Sequence, residues 1–332
     1  MGTHPSDPPA SPQARRARHD FAVVIPALDE APNVPDLVRE LRALFEVEDL
    51  RGEVWLVDDG SSDGTGDLAE AEADGWPPLR VLRHRTNQGK TEALLTAAAA
   101  TERTWIVLFD ADLQHLPAEI PRLLDKLDEG WDIVTGRKVG PYDKRRVSSV
   151  YNWLSRRIFD VPVSDLNSIK AFRAEILDAV RLRHDWHRFF VVMAHAKGYS
   201  ATEIDVTLHP RRAGVSKYSG GGRVFVGVLD LLAVWFQLIF ARKPMLLFGI
   251  PGVVLIGLGG LTALVAFYMR FVMGFGFRPL LYLVILLVTV GTLFFLAGLL
   301  AEMIAGLRDE VDYLRRRLPE ATRKEPSESD PP

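Results

Sequence analysis

The chain has 332 residues, 48% of them hydrophobic and 25% charged, which is typical of a folded protein with more than one domain. The net charge is −3 at pH 7 and no basic stripe is interleaved with aromatic residues, so nucleic acid is not expected as a partner. The sequence contains no cysteine, which excludes disulfides and thiolate metal sites and suits a reducing compartment.

The first 19 residues are rich in Pro and Arg and contain no apolar core. Residues 1–19 are therefore predicted to form a disordered tail rather than a signal peptide. Folded structure is expected from residue 20 onward.

Short apolar runs alternate with helical patterns in the next part of the chain. Buried-type strands are predicted at 21–26, 54–57, 81–84 and 104–109. Val34, Leu37 and Leu41 recur at helical spacing after the first strand, and an Ala-rich helix is expected over 90–100. This alternation predicts an α/β domain with a mostly parallel, Rossmann-like sheet over residues 20–222.

The alternation weakens between residues 132 and 173, where a helix is predicted near 147–159. A helix is expected around 186–197 and a strand at 202–208. A basic, glycine-rich stretch follows that strand and predicts a mobile loop at the end of the domain.

Two later segments, 245–269 and 279–301, contain no Asp, Glu, Lys, Arg or His. Each is long enough to cross a hydrocarbon core of ~30 Å, so a two-helix transmembrane domain is predicted over 244–304. Basic residues are denser outside the pair of spans than in the loop between them. The positive-inside rule therefore places the first domain and both termini on the cytoplasmic side of the cell membrane.

Residues 223–243 are apolar except for a few polar side chains, among them Asp230 and Gln237. These two residues lie one heptad apart, hence on one helical face, and an Asp at mid-bilayer costs ~3 kcal/mol. The segment is therefore predicted to form amphipathic helices that lie in the membrane interface rather than a third span.

A seven-residue rhythm of apolar side chains continues beyond the second span. Its members are Met303, Leu307, Val311, Leu314 and Leu318. Residues 305–332 are predicted to form a cytoplasmic helix and a disordered tail. The rhythm is compatible with a homo-oligomer that pairs through the membrane or this helix, and equally with one helix resting on its own domain.

The stretch D-A-D-L-Q, residues 110–114, closes the fourth predicted strand. Ligands of an open α/β sheet bind outside the carboxyl ends of its strands. Asp110, Asp112 and Gln114 offer the oxygen ligands that Mg²⁺ or Mn²⁺ prefers, and His115 is a less favoured further ligand. Taken alone, the acidic pair serves equally well as a helix cap.

A second polar stretch, D-D-G-S-S-D-G-T at 58–65, follows the second predicted strand. Asp58 or Asp59 is a candidate to accept hydrogen bonds from a nucleotide base or ribose, although residues 61–63 also suit a turn with a helix N-cap. The N-Q-G-K sequence further along lacks the spacing of a P-loop, but Lys90 can meet an anion at a helix N-terminus.

Seven motifs occur in the order seen in glycosyltransferase family 2, whose members have the GT-A fold. They are V-V-I-P-A-L-D-E, V-D-D-G-S-S-D-G-T, N-Q-G-K, D-A-D-L-Q-H-L-P, T-G-R, N-S-I-K-A-F-R and R-R-A-G-V-S-K-Y. The set resembles the branch related to dolichol-phosphate mannose synthase and other polyprenyl-phosphate glycosyltransferases, over about residues 20–243. The pair of C-terminal spans is also similar to that branch.

The resemblance implies roles for the matched positions at the donor. The residues expected to hold the nucleotide are Pro26, Ala27, Glu30 and Asp58 or Asp59. The residues expected to bind a metal on the sugar-nucleotide diphosphate are Asp110, Asp112 and Gln114.

The resemblance also implies a set of residues that meet the donor diphosphate and the acceptor phosphate. They are Arg137, Arg146, Ser148, Arg211, Ser216 and Lys217. Those expected to be catalytic are Asp112, Arg137, Arg146 and Lys217. The alternatives for the basic residues are a solvated face and general attraction to anionic lipids.

The sequence departs from the family pattern at three places. Asp29 stands where Asn is common, and Asn167 and Ser168 stand where variants with Gly or Cys are frequent. The sugar or acceptor specificity is therefore expected to differ. Asp205 occupies a position often taken by Pro, for which the sequence offers no physical reason.

The expected reaction is the metal-dependent, inverting transfer of one sugar from a nucleotide-sugar to polyprenyl phosphate, dolichyl or undecaprenyl, at the cytoplasmic membrane face. A phosphate acceptor is already anionic near neutral pH, so it needs positioning rather than a general base. GDP-mannose is the first expected donor, and a UDP-linked glucose or modified pentose is the next. The alternatives are transfer to a lipid or glycan hydroxyl and a catalytically silent membrane scaffold.

Overall fold

The computed structural model describes residues 17–139, 161–180, 182–183, 186–210, 212, 232–236 and 244–322. The chain divides into two compact units, Met1–Val228 and Leu229–Pro332. Most of the predicted N-terminal tail, the helix predicted near 147–159, the glycine-rich loop and most of the predicted interfacial segment lie outside the described residues.

The first unit alternates strands and helices along the chain. Its strands are β1 (Phe21–Ala27), β2 (Glu53–Asp58), β3 (Leu79–Arg83), β4 (Trp105–Leu108), β5 (Ile133–Val139), β6 (Lys170–Arg173) and β7 (Ala201–Thr207). Its helices are α1 (Val34–Val47), α2 (Thr65–Ala73), α3 (Lys90–Ala100), α4 (Glu119–Asp128), α5 (Glu175–Ala179) and α6 (Phe190–Ala196), and a 3₁₀ turn, Trp186–Phe189, precedes α6. The predicted strands are present, and β3 begins earlier than expected because buried Leu79 already pairs with Val54.

The seven strands form one sheet in the order β3-β2-β1-β4-β6-β5-β7. Neighbours pair in parallel except for β6, which is antiparallel to both β4 and β5. The predicted α/β fold with a mostly parallel sheet is therefore confirmed. Because β1, β2 and β4 run in the same direction, the loops that follow them open at the same edge of the sheet.

The core lies between the central strands and the helices that cover them. Phe21 to Ile25 of β1 are fully buried, as expected of a continuous apolar run in a strand covered on both faces. Leu37 and Leu41 of α1 are also fully buried, so the predicted helical face is the one that packs. The ring centroids of Phe21 and Phe45 are 5.7 Å apart, which joins β1 to α1.

The second unit contains two long helices, α7 (Pro244–Phe271) and α8 (Arg278–Thr322). Both are long and apolar enough to cross a membrane, as the sequence predicted. A Cβ on Gly252 would meet the backbone nitrogen of Phe295 at 2.7 Å, and a Cβ on Gly291 would meet the carbonyl oxygen of Gly252 at 2.8 Å. The two helices therefore contact each other backbone to backbone through small residues.

Helix α8 continues well past the predicted end of the second span, for 45 residues in all. Its Glu302 accepts a hydrogen bond from the backbone N–H of Met245 at 3.2 Å, which satisfies an amide in the first turn of α7. The described members of the seven-residue rhythm are exposed, namely Met303, Leu307, Val311 and Leu314.

Candidate active site

The loops after β1 and β2 are joined by hydrogen bonds at the carboxyl edge of the sheet. The backbone N–H of Asp29 donates to Ser61 Oγ at 2.9 Å, and the N–H of Ser62 donates to Asp29 Oδ1 at 2.8 Å. The N–H of Glu30 donates to Thr65 Oγ1 at 2.8 Å. Residues 28–31 and 58–65 therefore form one continuous surface.

The backbone of Asp29 explains its departure from the family pattern. Its φ is +45°, in the left-handed region that Asn and Asp tolerate better than most residues. An Asp there preserves the turn that an Asn would make, and its carboxylate also accepts the hydrogen bond from Ser62. The replacement therefore keeps the shape of this loop.

Four of the predicted nucleotide-binding residues meet on this surface. Pro26 and Ala27 end β1, where Ala27 pairs with Asp58 of β2. Asp58 is 7% exposed, and its Oδ1 accepts a hydrogen bond from the N–H of Ser61 at 2.9 Å. Glu30 accepts a hydrogen bond from the Asn33 amide at 2.6 Å. Adjacent strand ends thus bring together residues that are far apart in the sequence.

Asp59 has protein donors on both of its carboxylate oxygens. The N–H of Gln88 donates to Oδ1 at 2.8 Å, and the N–H of Gly89 donates to Oδ2 at 2.7 Å. Nδ1 of His84 also lies 2.7 Å from Oδ1. Asp59 therefore connects the end of β2 to the turn that begins α3. Sequence reasoning missed His84, because nothing in its local pattern distinguishes it from a surface histidine after a strand.

Lys90 and Asp110 are in contact at the same edge. Lys90 is the first residue of α3, and its ammonium group meets the Asp110 carboxylate that follows β4. Partial burial alone would raise the pKa of Asp110, but the Lys90 charge holds that pKa well below its usual range. Asp110 is therefore a carboxylate with a cation beside it, at the N-terminus of a helix.

Asp112 and Gln114 fold back toward the end of β7. Asp112 is 8% exposed, and its Oδ1 accepts a hydrogen bond from the N–H of Gln114 at 3.2 Å. The Gln114 carbonyl accepts the N–H of His209 at 2.8 Å, and the Gln114 side-chain amide lies 3.4 Å from the His209 carbonyl oxygen. These contacts fix the D-A-D-L-Q turn against the residues that directly follow β7.

The two acidic stretches differ in how they contact the helices that follow them. Helix α4 has Ala118 at its N-cap and no side-chain cap, so neither carboxylate of the D-A-D-L-Q stretch caps it. Helix α2 has Gly64 at its N-cap and likewise no side-chain cap. Ser61 and Ser62 contact the loop after β1, whereas Asp63 Oδ1 accepts the N–H of Thr65, the first residue of α2, at 3.0 Å. The cap interpretation is therefore wrong for residues 110–114, while Asp63 does contribute to the start of α2.

The donor set of Asp110 and Asp112 fits a cation that is shared with a substrate. Within the described residues, no group of three or more His, Asp or Glu side chains is placed to hold a metal by itself. Mg²⁺ in phosphate-transferring and related sites is commonly bound by one or two carboxylates together with the phosphates of the substrate. Two carboxylates two residues apart match that arrangement better than a closed protein cage.

His115, the less favoured ligand, is buried behind this turn. It is 2% exposed, and its Nε2 lies 3.3 Å from Ser168 Oγ. Burial lowers the pKa of His115 to about 4, so the imidazole is neutral at physiological pH. Its Nδ1 makes no hydrogen bond within the described part of the chain. Ser168, one of the departures from the family pattern, therefore lies directly behind the D-A-D-L-Q turn.

Two further buried basic groups escaped the sequence analysis. Lys170 is 2% exposed and donates a hydrogen bond to the Leu166 carbonyl at 2.9 Å. Burial, reinforced by repulsion from Lys90, lowers the pKa of Lys170 to about 7. His187 is buried against Thr91, whose Oγ1 accepts the His187 N–H at 3.2 Å. The burial of each depends on contacts with distant parts of the chain, which the local sequence does not display.

Arg137 pairs with two carboxylates of β7. Its Nε donates to Asp205 Oδ1 at 2.6 Å, and its Nη1 donates to Glu203 Oε1 at 3.2 Å. This contact provides the physical reason for Asp205 that the sequence lacked. The other residues expected to meet phosphate lie outside the described residues, namely Arg146, Ser148, Arg211, Ser216 and Lys217.

The chain was compared with known proteins. Residues 22–193 match the family model described as "Glycosyl transferase family 2". A dodecaprenyl-phosphate galacturonate synthase from Rhizobium johnstonii is 33% identical over 86% of this chain and 88% of its own length. An undecaprenyl-phosphate 4-deoxy-4-formamido-L-arabinose transferase from an Enterobacter species is 30% identical over 89% of this chain and 91% of its own length.

A solved structure shares the fold of this chain. Glucosyl-3-phosphoglycerate synthase from Mycobacterium tuberculosis, crystallised with Mn²⁺, UDP and glucosyl-3-phosphoglycerate, matches with a TM-score of 0.53 at 19% identity. The match covers 70% of this chain and 86% of the other. Together with the site geometry, these matches lead to one conclusion: the chain belongs to glycosyl transferase family 2 and is a glycosyltransferase.

Proposed function

We propose that the protein transfers one sugar from a nucleotide-sugar to a polyprenyl phosphate at the cytoplasmic face of a membrane. The main observation behind this proposal is the contact between Asp110 and Lys90. It lies at the same edge of the sheet as the joined loops after β1 and β2, which are the loops proposed to hold the nucleotide. The same chain has two helices of membrane-spanning length. The curated relatives are named for transfer to dodecaprenyl or undecaprenyl phosphate.

The nucleoside of the donor lies against the surface formed by the ends of β1 and β2. Pro26, Ala27, Glu30 and Asp58 provide its backbone and carboxylate partners. Asp110 and Asp112, with Gln114, would hold a divalent metal. When bound, Mg²⁺ or Mn²⁺ would neutralise the negative charge that develops on the leaving diphosphate. Lys90 adds a second positive charge at the N-terminus of α3.

The acceptor phosphate supplies the nucleophile. One of its oxygens forms a bond to the anomeric carbon from the face opposite the diphosphate, and the bond from that carbon to the diphosphate oxygen breaks. The nucleoside diphosphate leaves with the electron pair, so the anomeric configuration inverts. Because the phosphate is already anionic, no group has to remove a proton, and positioning by basic side chains is sufficient.

The residues that position the two phosphate groups come from β5 and from the segments after β5 and β7. They are Arg137, Arg146, Ser148, Arg211, Ser216 and Lys217. The Arg137 side chain is 49% exposed while it pairs with β7, so it is accessible to an incoming phosphate. Of this set, Arg137, Arg146 and Lys217 are assigned as catalytic together with Asp112.

The comparisons change the order of the expected donors. The curated relatives are named for galacturonate and for 4-deoxy-4-formamido-L-arabinose, neither of which is mannose. We therefore favour a UDP-linked uronic acid or modified pentose over GDP-mannose. Ser168, which contacts His115 behind the metal-binding turn, is a departure that fits a change of sugar.

A donor panel tests the proposal. The full-length protein in detergent is supplied with undecaprenyl phosphate, Mg²⁺ or Mn²⁺, and labelled UDP-glucuronate, UDP-galacturonate, UDP-pentoses, UDP-glucose or GDP-mannose in turn. We expect label in the organic phase from one of the UDP-sugars. Label only from GDP-mannose would restore the first expected donor, and no lipid-linked product from any donor would contradict the proposal.

A further inference from the structure

We propose that His84 is a positioning residue for this reaction. Acting through Asp59, it holds the turn before α3 and thereby sets Lys90 against the donor diphosphate. The inference rests on the proposed function, because it assumes that a diphosphate binds beside Lys90. In this proposal Asp59 anchors the turn before α3, and Asp58 is the residue that contacts the nucleoside.

His84 is buried between two elements that meet at the site. It follows β3 directly, and its backbone N–H donates to the Asp58 carbonyl at 2.9 Å. Its side chain is 7% exposed. Nδ1 lies 2.7 Å from Asp59 Oδ1, and Nε2 lies 2.9 Å from Thr96 Oγ1 on α3. The imidazole ring therefore links the end of β2 to the side of α3.

The hydrogen bonds define the form of the imidazole ring. A carboxylate only accepts hydrogen bonds, so Nδ1 carries the proton that points to Asp59. Nε2 pairs with the Thr96 hydroxyl, which can either donate or accept a hydrogen bond. Both ring nitrogens have partners, which restricts rotation of the ring.

Asp59 completes the start of α3 from outside the helix. The N-cap of α3 is Gly89, which has no side chain to accept hydrogen bonds from the first turn. The Asp59 carboxylate accepts the N–H groups of Gln88 and Gly89, the two residues directly before the helix. A negative charge at a helix N-terminus also interacts favourably with the helix dipole. Helix α3 is therefore positioned by a carboxylate that His84 orients.

Close packing of the two loops leaves little freedom for this arrangement to shift. A Cβ on Gly60 would meet the backbone nitrogen of Asn87 at 2.7 Å. The turn after His84 thus lies directly on the loop after β2, within reach of Asp59. Without the imidazole, the turn keeps this backbone contact but loses the side-chain bridge to α3.

The consequence for function follows from where α3 begins. Lys90 is its first residue and contacts Asp110. A small displacement of the first turn moves the Lys90 ammonium relative to both the carboxylate and any phosphate beside it. Misplacement of a charged contact by about 1 Å is enough to weaken binding and catalysis substantially.

The test measures the affinity of the full-length protein for two probes, UDP with Mn²⁺ and GDP with Mn²⁺, by calorimetry in detergent. His84→Leu removes both side-chain hydrogen bonds, and we expect it to weaken the binding of the preferred nucleotide by about tenfold. His84→Asn keeps a donor near the position of Nδ1, so it should restore affinity to within about threefold of wild type. His195→Leu replaces a half-buried histidine of α6 and should leave the affinity unchanged.

A double-mutant cycle with Lys90 separates positioning from general stability. If His84 acts through Lys90, His84→Leu in a Lys90→Met background should change nucleotide affinity by less than about twofold. Thr96→Val removes only the contact to α3 and should weaken binding in the same direction, to a smaller extent. It provides the readout if His84→Leu does not fold, as judged by its unfolding midpoint.

Two results would overturn the inference. One is a folded His84→Leu variant that binds the nucleotide as tightly as wild type does. The other is equal weakening by His84→Leu with and without Lys90. A wild-type protein that binds neither nucleotide would instead remove the proposed function itself, and with it the premise of this inference.

Discussion

Two groups of carboxylates lie at the carboxyl edge of the sheet, and they are held in different ways. Asp29, Asp59 and Asp63 accept hydrogen bonds from backbone N–H groups of neighbouring loops. Asp110 instead contacts the ammonium group of Lys90, at the end of a long side chain. Backbone donors fix a carboxylate in place, whereas the long side chain of a lysine can move. The carboxylates of the first group thus shape loops, while Asp110 has a partner that can be exchanged.

The largest expected effect on activity concerns Asp110 and Asp112, the two carboxylates proposed to hold the metal. Asp110→Asn or Asp112→Asn should lower turnover by about a hundredfold or more, because a metal on the diphosphate loses a charged ligand. The unfolding midpoint should change little. Asp67→Asn on α2, whose carboxylate is 78% exposed, is the matched control. Activity close to wild type in the Asp112 variant would contradict the assignment and favour the silent scaffold.

Asp59→Asn should mainly lower the stability of the protein, in contrast to the Asp110 and Asp112 variants, which should mainly lower turnover. The new amide can donate but has only one oxygen to accept the bonds now made to both oxygens of Asp59. Loss of buried, charge-assisted hydrogen bonds should lower the free energy of unfolding by about 2–3 kcal/mol. Thermal unfolding of the detergent-solubilised protein measures this. An unchanged midpoint would show that Asp59 is not the loop anchor.

Lys90→Met tests whether the Lys90 ammonium group contributes to diphosphate binding or only pairs with Asp110. If Lys90 contributes charge to diphosphate binding, the affinity for UDP with Mn²⁺ should fall by about tenfold, and the loss should shrink at high salt. Calorimetric titration at two salt concentrations measures both quantities. A rise in affinity would mean that Lys90 only competes with the metal for Asp110.

The smallest expected effect is on the pH dependence of stability, and it comes from Lys170, which is buried behind the site. Its pKa is lowered to about 7 from an ordinary value of 10.5. Between these two values the unfolded chain binds a proton that the folded chain lacks, so this group makes the free energy of unfolding rise with pH. Lys170→Met removes this contribution to the pH dependence of the free energy of unfolding. The unfolding midpoint of the wild type, relative to that of the variant, should therefore increase from pH 7 to pH 9, and parallel profiles would contradict the assignment.

Local pattern was enough to predict much of the fold. The apolar runs of β1 and β4, the helical spacing of Val34 and Leu37, and the two uncharged spans all appear as expected. These features depend on burial of consecutive or periodic residues, which the sequence displays directly.

Features that depend on distant pairing were not predicted. Strand β6 is four residues long and lies antiparallel between β4 and β5. Its position and direction depend on pairing with these two strands rather than on its own sequence. The bond from Asp59 to His84 joins residues 25 positions apart. The pairing of Arg137 with Asp205 spans 68 positions. The motifs thus predicted which residues gather at the edge, whereas the partner of each depended on tertiary packing.

The most direct test of the proposed function compares two acceptors that differ in one group. The full-length protein, with its preferred nucleotide-sugar and Mn²⁺, is given either undecaprenyl phosphate or undecaprenol, and lipid-linked sugar is measured in the organic phase. We predict that the phosphate acceptor gives a product carrying a single sugar of inverted configuration, while the alcohol gives none. Equal or faster transfer to undecaprenol would contradict the account and show that the acceptor is a hydroxyl group.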